Sequence, residues 1–373
     1  MSRAALKTRH EPIGRNAPVE RLAAIWRRIL HTADVTENSD FFDLGGDSLL
    51  AVSLFLEIER ETGRNLPITA IYDAPTIAEL AALMESEAEP EFSPLVLLKP
   101  GDDSAPLYIF HGVGGTVIEF AALGKLIDIP GKVFAVQAQG IDGTLPPLDS
   151  VPEMADLYCT AIRKQQPNGP YWLCGYSFGG VLAVEVAKRL EAAGEKVAMV
   201  FCIDSYAHPL TWPKRSQMEY RIRRSLRRVR SALKHSPPEI VAAVGAKLAR
   251  KWRQSSHEPA NDAGMKPRNA GLRQWLLDAT PDLPLPLLQT RMAGSAALLK
   301  FVPTYFPGKV IFLKARTPDP DFPSNPKPVW RNLAKELELY TAPGSHMTII
   351  GHHASDVAVR INTCMAKARA EVS

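Results

Sequence analysis

The feature that most narrows the fold of this chain is the pentapeptide Gly175-Tyr176-Ser177-Phe178-Gly179. It sits between the apolar run Tyr171 to Cys174 and the helical pattern Gly180 to Leu190. A serine on a sharp strand-to-helix turn strains its own backbone and brings strand and helix close together, so glycines are needed on either side. The pattern reads as a nucleophile elbow, with the Ser177 hydroxyl held out over a sheet. Further short apolar runs, Leu95 to Leu98, Leu107 to Phe110, Val133 to Gln137, Val197 to Ile203 and Val310 to Leu313, alternate with helical patterns. That alternation predicts a mostly parallel sheet with helices on both faces.

A serine hydroxyl is a poor nucleophile until a base takes its proton and a third group orients that base. His346 is the candidate base. It lies in the glycine-containing loop Ala342-Pro343-Gly344-Ser345-His346-Met347, after the apolar Leu337, Leu339 and Tyr340. His352 and His353 are close rivals, expected on the surface of a following helix. For the acid, Asp204 ends the run Val197 to Ile203 and would emerge at the same sheet edge as Ser177. Asp319 and Asp321 compete, because they follow the later run Val310 to Leu313. An oxyanion needs two N–H donors. Phe178, just past the nucleophile, should supply one, and the loop His111-Gly112-Val113-Gly114-Gly115 the other. His111 itself is expected to be structural.

The alternation breaks between Ser205 and about Leu299. Met218, Ile222, Leu226, Val229 and Leu233 form a helical stripe among arginines, and Pro237-Pro238 opens a second helix to Trp252. A link from Gln254 to Asn269 follows, so the segment reads as a helical insertion.

The N-terminal part has another character. Val19, Leu22, Ile25, Trp26, Ile29 and Leu30 mark one apolar helix face, a second helical pattern runs from Leu49 to about Glu61, and Pro75-Thr76 opens a last short helix. This predicts a small all-α bundle. Between the first two helices stands Phe41-Phe42-Asp43-Leu44-Gly45-Gly46-Asp47-Ser48-Leu49. A glycine turn would set Ser48 at a helix N-terminus, where free N–H groups and the dipole favour a phosphodiester. Simple helix capping by Asp47 or Ser48 is the plainer account of the same tetrapeptide. Glu87 to Pro94, charged and proline-bearing, reads as a tether.

Charge is unevenly spread. Val19 to Ser86 holds twelve Asp and Glu against five Lys and Arg, whereas Lys214 to Arg253 holds thirteen Lys and Arg against Glu219 and Glu239. The mostly apolar stretch Leu49 to Leu56 is far too short to span a bilayer, so no membrane is expected as a partner. No nucleic acid is expected either. Cys159, Cys174, Cys202 and Cys364 show no metal-ligand spacing and read as reduced thiols. The first 17 residues carry Arg3, Lys7, Arg9 and Arg15 with no apolar stretch behind them, which predicts a disordered leader on a cytoplasmic protein.

Two resemblances sharpen this reading. The segment Phe41 to Leu49 resembles the attachment motif of peptidyl carrier domains, over helices from about Pro18 to Met84. It implies that Ser48 carries covalent 4'-phosphopantetheine, added by a separate phosphopantetheinyl transferase. Cys202-Ile203-Asp204-Ser205, 27 residues beyond the elbow serine, resembles the acid site of type I thioesterase domains of nonribosomal peptide synthetases, members of the α/β-hydrolase family. That likeness, from about Pro94 onward, implies Asp204 as the acid, Val113 as the second oxyanion donor, and a lid at about 205–299. The expected division is a leader at 1–17, a carrier domain at 18–86, a linker at 87–94 and a thioesterase domain at 95–373. The implied activity is release of an acyl or peptidyl thioester, held on the Ser48 arm, through an acyl-Ser177 intermediate, by hydrolysis or cyclisation. Adenylation or condensation domains do not fit in this length, so the acyl group is expected from upstream partners or from the rest of a longer synthetase. Two other readings compete: a free-standing esterase or lipase with an appended helical domain, and a non-catalytic docking module of a synthetase.

Overall fold

The computed structural model describes residues 17–46, 48–64, 66–86, 92–206, 209, 212–232, 283–319 and 322–372. The chain divides into two compact units, Met1–Leu97 and Leu98–Ser373.

The first unit is helical. Helix α1 (Ala17–Leu30) has Glu20 in its first turn and Arg27 and Arg28 in its last, each the sign that the helix dipole favours. Its stripe of Leu22, Ile25 and Trp26 is buried, as are Ala51, Leu54 and Ile58 of α2 (Ser48–Thr62). A single turn, α3 (Ala70–Asp73), precedes α4 (Ile77–Glu85). Helix α4 starts in a reciprocal capping box, Thr76 accepting from the Glu79 amide and Glu79 from the Thr76 amide. The turn α3 was not expected from the sequence, because four residues are too few to show a helical period.

The second unit carries a seven-stranded sheet, whose first strand begins three residues ahead of the unit's boundary, in the order β1-β3-β2-β4-β5-β6-β7. The strands are β1 (Leu95–Lys99), β2 (Asp102–Phe110), β3 (Gly131–Val136), β4 (Tyr171–Tyr176), β5 (Val197–Ile203), β6 (Phe306–Ala315) and β7 (Ala334–Ala342). From β3 across to β7 every neighbouring pair is parallel. Strands β4 and β5 hold no charged residue because both faces are covered, β4 being buried at every residue. Strand β7 does not announce itself in the sequence. It lies at the sheet edge, exposes Lys335 and Glu336 and half-buries the four residues that follow, so it lacks the apolar run that marks its neighbours.

Helices connect the strands: α5 (Ala121–Leu126), preceded by a 3-10 turn Ile118–Phe120, α6 (Val151–Gln165) and α7 (Phe178–Ala192). After β5 come α8 (Lys214–Ala232) and α9 (Leu285–Lys300), with β6, the short α10 (Lys327–Trp330), β7 and α11 (Ala354–Val372) completing the unit. The stripe residue Leu233, the helix expected from Pro237 to Trp252 and the link from Gln254 to Asn269 lie outside the described residues, as do residues 1–16 of the expected leader. Among the described residues, no helix is long and apolar enough to cross a membrane.

Candidate active site

Parallel strands deliver their C-terminal ends to one edge of the sheet, and loops leaving that edge converge. Tyr176 of β4 is in register with Ile203 of β5, so Ser177 and Asp204 are each the first residue past adjacent strand ends. Ile203 is in turn level with Leu313 of β6, and Ala315 with Ala342 of β7, four residues before His346. Three groups far apart in sequence therefore meet at one edge.

Ser177 is the N-cap of α7 at φ 55 and ψ −118, a strained backbone for a residue with a Cβ. Its amide donates to the Ile203 carbonyl at 2.9 Å, which ties the elbow to β5. The two glycines are sterically obligatory. A Cβ on Gly175 would stand 2.1 Å from the Gly179 carbonyl oxygen, and one on Gly179 would stand 2.2 Å from the Phe110 carbonyl oxygen.

Asp204 also has a positive φ, 44, and is 4% exposed. Its amide donates to the Leu313 carbonyl at 2.8 Å, and its Oδ1 accepts from the Ala315 amide at 3.2 Å. Its Oδ2 is left to face His346 Nδ1 at 2.9 Å. An ionised carboxylate only accepts, so Nδ1 carries the proton, and Nε2 is free to accept from the Ser177 hydroxyl at 3.0 Å. Serine, imidazole and carboxylate thus form one continuous hydrogen-bonded line. Asp319, the first of the two later candidates, adds negative charge near Tyr176 and Tyr206, and Asp321 lies outside the described residues.

The loop that carries His346 is fastened on several sides. The Ser345 amide donates to Thr348 Oγ1 at 2.9 Å, and the Thr317 amide donates to the Gly344 carbonyl at 2.9 Å. His352 and His353 sit in the turn ahead of α11, not inside that helix as the sequence suggested, and His353 Nδ1 faces Asp356 at 3.6 Å.

Sequence reasoning missed two neighbours of the imidazole. Tyr176 donates its hydroxyl to the His346 carbonyl at 2.6 Å, and its ring stacks on the imidazole at 5.1 Å between centroids. Phe322 covers the ring at 4.7 Å. Burial pushes the Tyr176 hydroxyl well above the ordinary tyrosine range, with the charges of Glu119, Asp204 and Asp319 adding to the effect, so it stays a donor. Tyr176 was visible as an elbow residue, but its partner lies 170 residues away and no local pattern announces it.

Phe178 is the first residue of α7, so its N–H belongs to the helical turn that lacks intrahelical acceptors. Val113 lies in the turn after β2 that Gly115 closes by donating to the Gly112 carbonyl at 3.1 Å. Phe110 of β2 is level with Gly175 of β4, which brings that turn to the elbow's edge of the sheet. His111 is buried, with its ring nitrogens at 2.5 Å from the Gly112 carbonyl and 2.7 Å from the Tyr158 hydroxyl. Burial lowers its pKa to about 4, and these contacts hold the start of the loop.

In the other unit, Ser48 is the first residue of α2. The turn before it is built locally. Asp40 Oδ1 accepts from the amides of Phe42 at 2.7 Å and Asp43 at 3.1 Å, and the Gly46 amide donates to the Phe41 carbonyl at 2.9 Å. Gly45 has φ 89, and a Cβ on Gly46 would stand 2.3 Å from the Phe41 ring. The result presents the first amides of a fifteen-residue helix at Ser48, a setting that fits a phosphodiester on that residue.

Comparison with known proteins agrees with both regions. Residues 105–364 match the family model described as thioesterase domain, and residues 20–84 match the model described as phosphopantetheine attachment site. An indigoidine synthase from Dickeya dadantii (strain 3937) is 36% identical over 189 residues, covering 51% of this chain and 13% of the relative. Enterobactin synthase component F from Escherichia coli (strain K12) is 31% identical over 200 residues, covering 52% of this chain and 15% of the relative. The chain therefore spans a small part of the curated relatives that it matches. A crystal structure of holo-AB3403, a four-domain nonribosomal peptide synthetase bound to AMP and glycine, covers 97% of this chain at TM-score 0.53 and 23% identity, and 27% of that protein is matched. The NocB thioesterase domain, solved as a covalent complex with a fluorophosphonate nocardicin G analog, covers 73% of this chain and is itself covered in full, at TM-score 0.51 and 22% identity. At these identities the two structures establish likeness of fold.

Proposed function

The chain belongs to the thioesterase domain family and has a phosphopantetheine attachment domain ahead of that domain, and on this footing we propose that it releases an acyl or peptidyl group through Ser177. The observation that carries the reading is the line Ser177 Oγ, His346, Asp204, with spacings of 3.0 and 2.9 Å. His346 Nε2 takes the Ser177 proton as Oγ attacks the thioester carbonyl, and Asp204 holds the ring in the required tautomer and stabilises the imidazolium that forms. The amides of Val113 and Phe178 receive the tetrahedral oxyanion. When this collapses, the thiol leaves with the proton from His346 and an ester remains on Ser177. Water then gives an acid, or an internal hydroxyl or amine gives a lactone or lactam.

Ser48 is the residue that would hold 4'-phosphopantetheine, through a phosphodiester set by a separate transferase; the arm presents its acyl cargo as a thioester. Upstream adenylation, condensation or other acyl-loading proteins supply that cargo, in the biosynthesis of a nonribosomal peptide or a related secondary metabolite. The insertion at about 205–299, of which α8 and α9 are described, serves as a lid over the acyl chamber, and the helices of the first unit pack as the carrier bundle.

The test is intact-mass spectrometry with a phosphopantetheinyl transferase and an acyl-coenzyme A. Wild type should gain the acylated arm and then lose the acyl group. Ser48→Ala should gain nothing, and Ser177→Ala should hold the acylated arm with release slowed by about 10⁴-fold or more. Undiminished release by Ser177→Ala would overturn the reading.

A further inference from the structure

Helix α9, the last element before β6, carries a glycine in its middle, Gly294. Glycine inside a helix is about 1 kcal/mol worse than alanine, so its presence asks for a reason. The space around it supplies one. A Cβ on Gly294 would stand 2.7 Å from the carbonyl oxygen of Val113, closer than side-chain carbons approach backbone oxygen. One helical turn earlier, on the same face, Thr290 is 2% exposed, and its Cγ2 methyl stands 2.5 Å from where a Cβ on Gly115 would be. Gly115 has φ 82, so the loop uses a glycine there for its conformation and for the space. Helix and loop interlock through these two glycines, Gly294 admitting Val113 and Gly115 admitting Thr290.

The loop has little room to yield. Gly115 donates to the Gly112 carbonyl at 3.1 Å and accepts from the Ala138 amide at 3.0 Å, which pins the turn to the chain leaving β3. The Val113 carbonyl belongs to the Val113–Gly114 peptide and the Val113 N–H to the Gly112–Val113 peptide, so pressure on the carbonyl reaches the N–H through the two Val113 dihedrals.

We propose that Gly294 is a positioning residue for the oxyanion hole, through which α9 sets the aim of the Val113 amide. The inference rests on the reading of Val113 as an oxyanion donor. It makes α9 a mechanical link between the insertion and the chemistry, since any shift of this helix along the loop re-aims one of the two donors.

An oxyanion donor acts in the transition state, so a mis-aimed donor lowers kcat and leaves KM alone. The test uses the full-length chain and the hexanoyl thioester of N-acetylcysteamine, a probe that needs no carrier. Gly294→Ala adds one methyl group at a helical position and is expected to lower kcat at least tenfold with KM within twofold. Thr290→Ser removes the methyl group on Gly115 and adds no atom, so overpacking cannot unfold it, and it is expected to lower kcat two- to fivefold at the same KM. Ser295→Ala, the next residue of the same helix, should match wild type. If Gly294→Ala and Thr290→Ser both keep wild-type kcat, or raise KM while kcat stays level, α9 does not aim the donor and the inference falls. Ser177→Ala is assayed beside them. Turnover retained in that variant would instead remove the reading of the site itself.

Discussion

Ser48 and Ser177 each open a helix behind a turn that contains glycine, but the two turns are held in opposite ways. The turn before Ser48 is closed by bonds within Asp40 to Gly46, and by the Phe41 amide donating to the Pro75 carbonyl at 2.9 Å. The backbone of Ser177 is at a positive φ, and its hydroxyl faces an imidazole 169 residues away. The difference fits the roles proposed for the two serines. A serine modified by a separate transferase has only to be displayed, and a local turn suffices. A serine that must attack a carbonyl needs a base, an orienting acid and oxyanion donors in register, and the ends of β2, β4, β5, β6 and β7 bring the groups proposed for those roles to one edge.

The strongest way to break this contrast is at the acid. Asp204→Asn should cut turnover of a small thioester by about 10³- to 10⁴-fold, because an amide at that position no longer enforces the tautomer that leaves Nε2 free. Asp319→Asn should stay within a few-fold of wild type. Steady-state kinetics on both variants decide it, and the reverse ranking would hand the role to the later loop.

Gly46→Ala probes the local turn. Its Cβ would meet the Phe41 ring at 2.3 Å and the Phe41 carbonyl oxygen at 2.5 Å, so the first unit should lose roughly 2 kcal/mol. Calorimetry of the full chain should show one transition lowered, with hydrolysis of the small thioester unchanged. Unaltered unfolding together with normal loading of Ser48 would mean that the glycine is not needed for the turn.

Smaller effects are expected at the neighbours of the proposed triad. Tyr176→Phe removes the donor to the His346 carbonyl while the ring stays stacked, and should lower kcat by roughly three- to tenfold with KM unchanged. Rates within error of wild type would leave the hydroxyl without a role in holding the base.

The last expected effect is on stability and not on rate, at Glu119, which sits just beyond the glycine loop and accepts from the Thr116 hydroxyl at 2.7 Å. Burial raises its pKa to about 7 from an ordinary value near 4.5. The folded protein then binds a proton that the unfolded chain has released, so Glu119 favours folding below about pH 4.5 and progressively less up to about pH 7. Across that window the stability of wild type should fall relative to Glu119→Gln by about 3 kcal/mol. Parallel curves for the two proteins would show that the carboxyl titrates normally.

Much of the site was legible because the signals were local. The glycines of the elbow, the loop after β2 and the turn before Ser48 mark places where backbone passes backbone or where φ is positive, and either demand leaves a residue type at a fixed spacing. Central strands announced themselves by apolar runs because both of their faces are covered. Strand β7 did not, since an edge strand with exposed charges has no such run.

The amino-acid order was enough to mark which residues can do chemistry, a serine on an elbow, a histidine in a glycine loop and aspartates after strands, because reactive groups need particular side chains on particular local backbones. It did not pair them. That Asp204 faces His346 Nδ1, that Tyr176 grips the carbonyl of the same histidine, and that Gly294 seats a helix against Val113 were decided by the packed sheet and its helices. The physical reason is range. Periodicity and turn chemistry report what a residue meets within a few positions along the chain, whereas these contacts join positions about 140 to 180 residues apart, and only register across parallel strands and close packing set them.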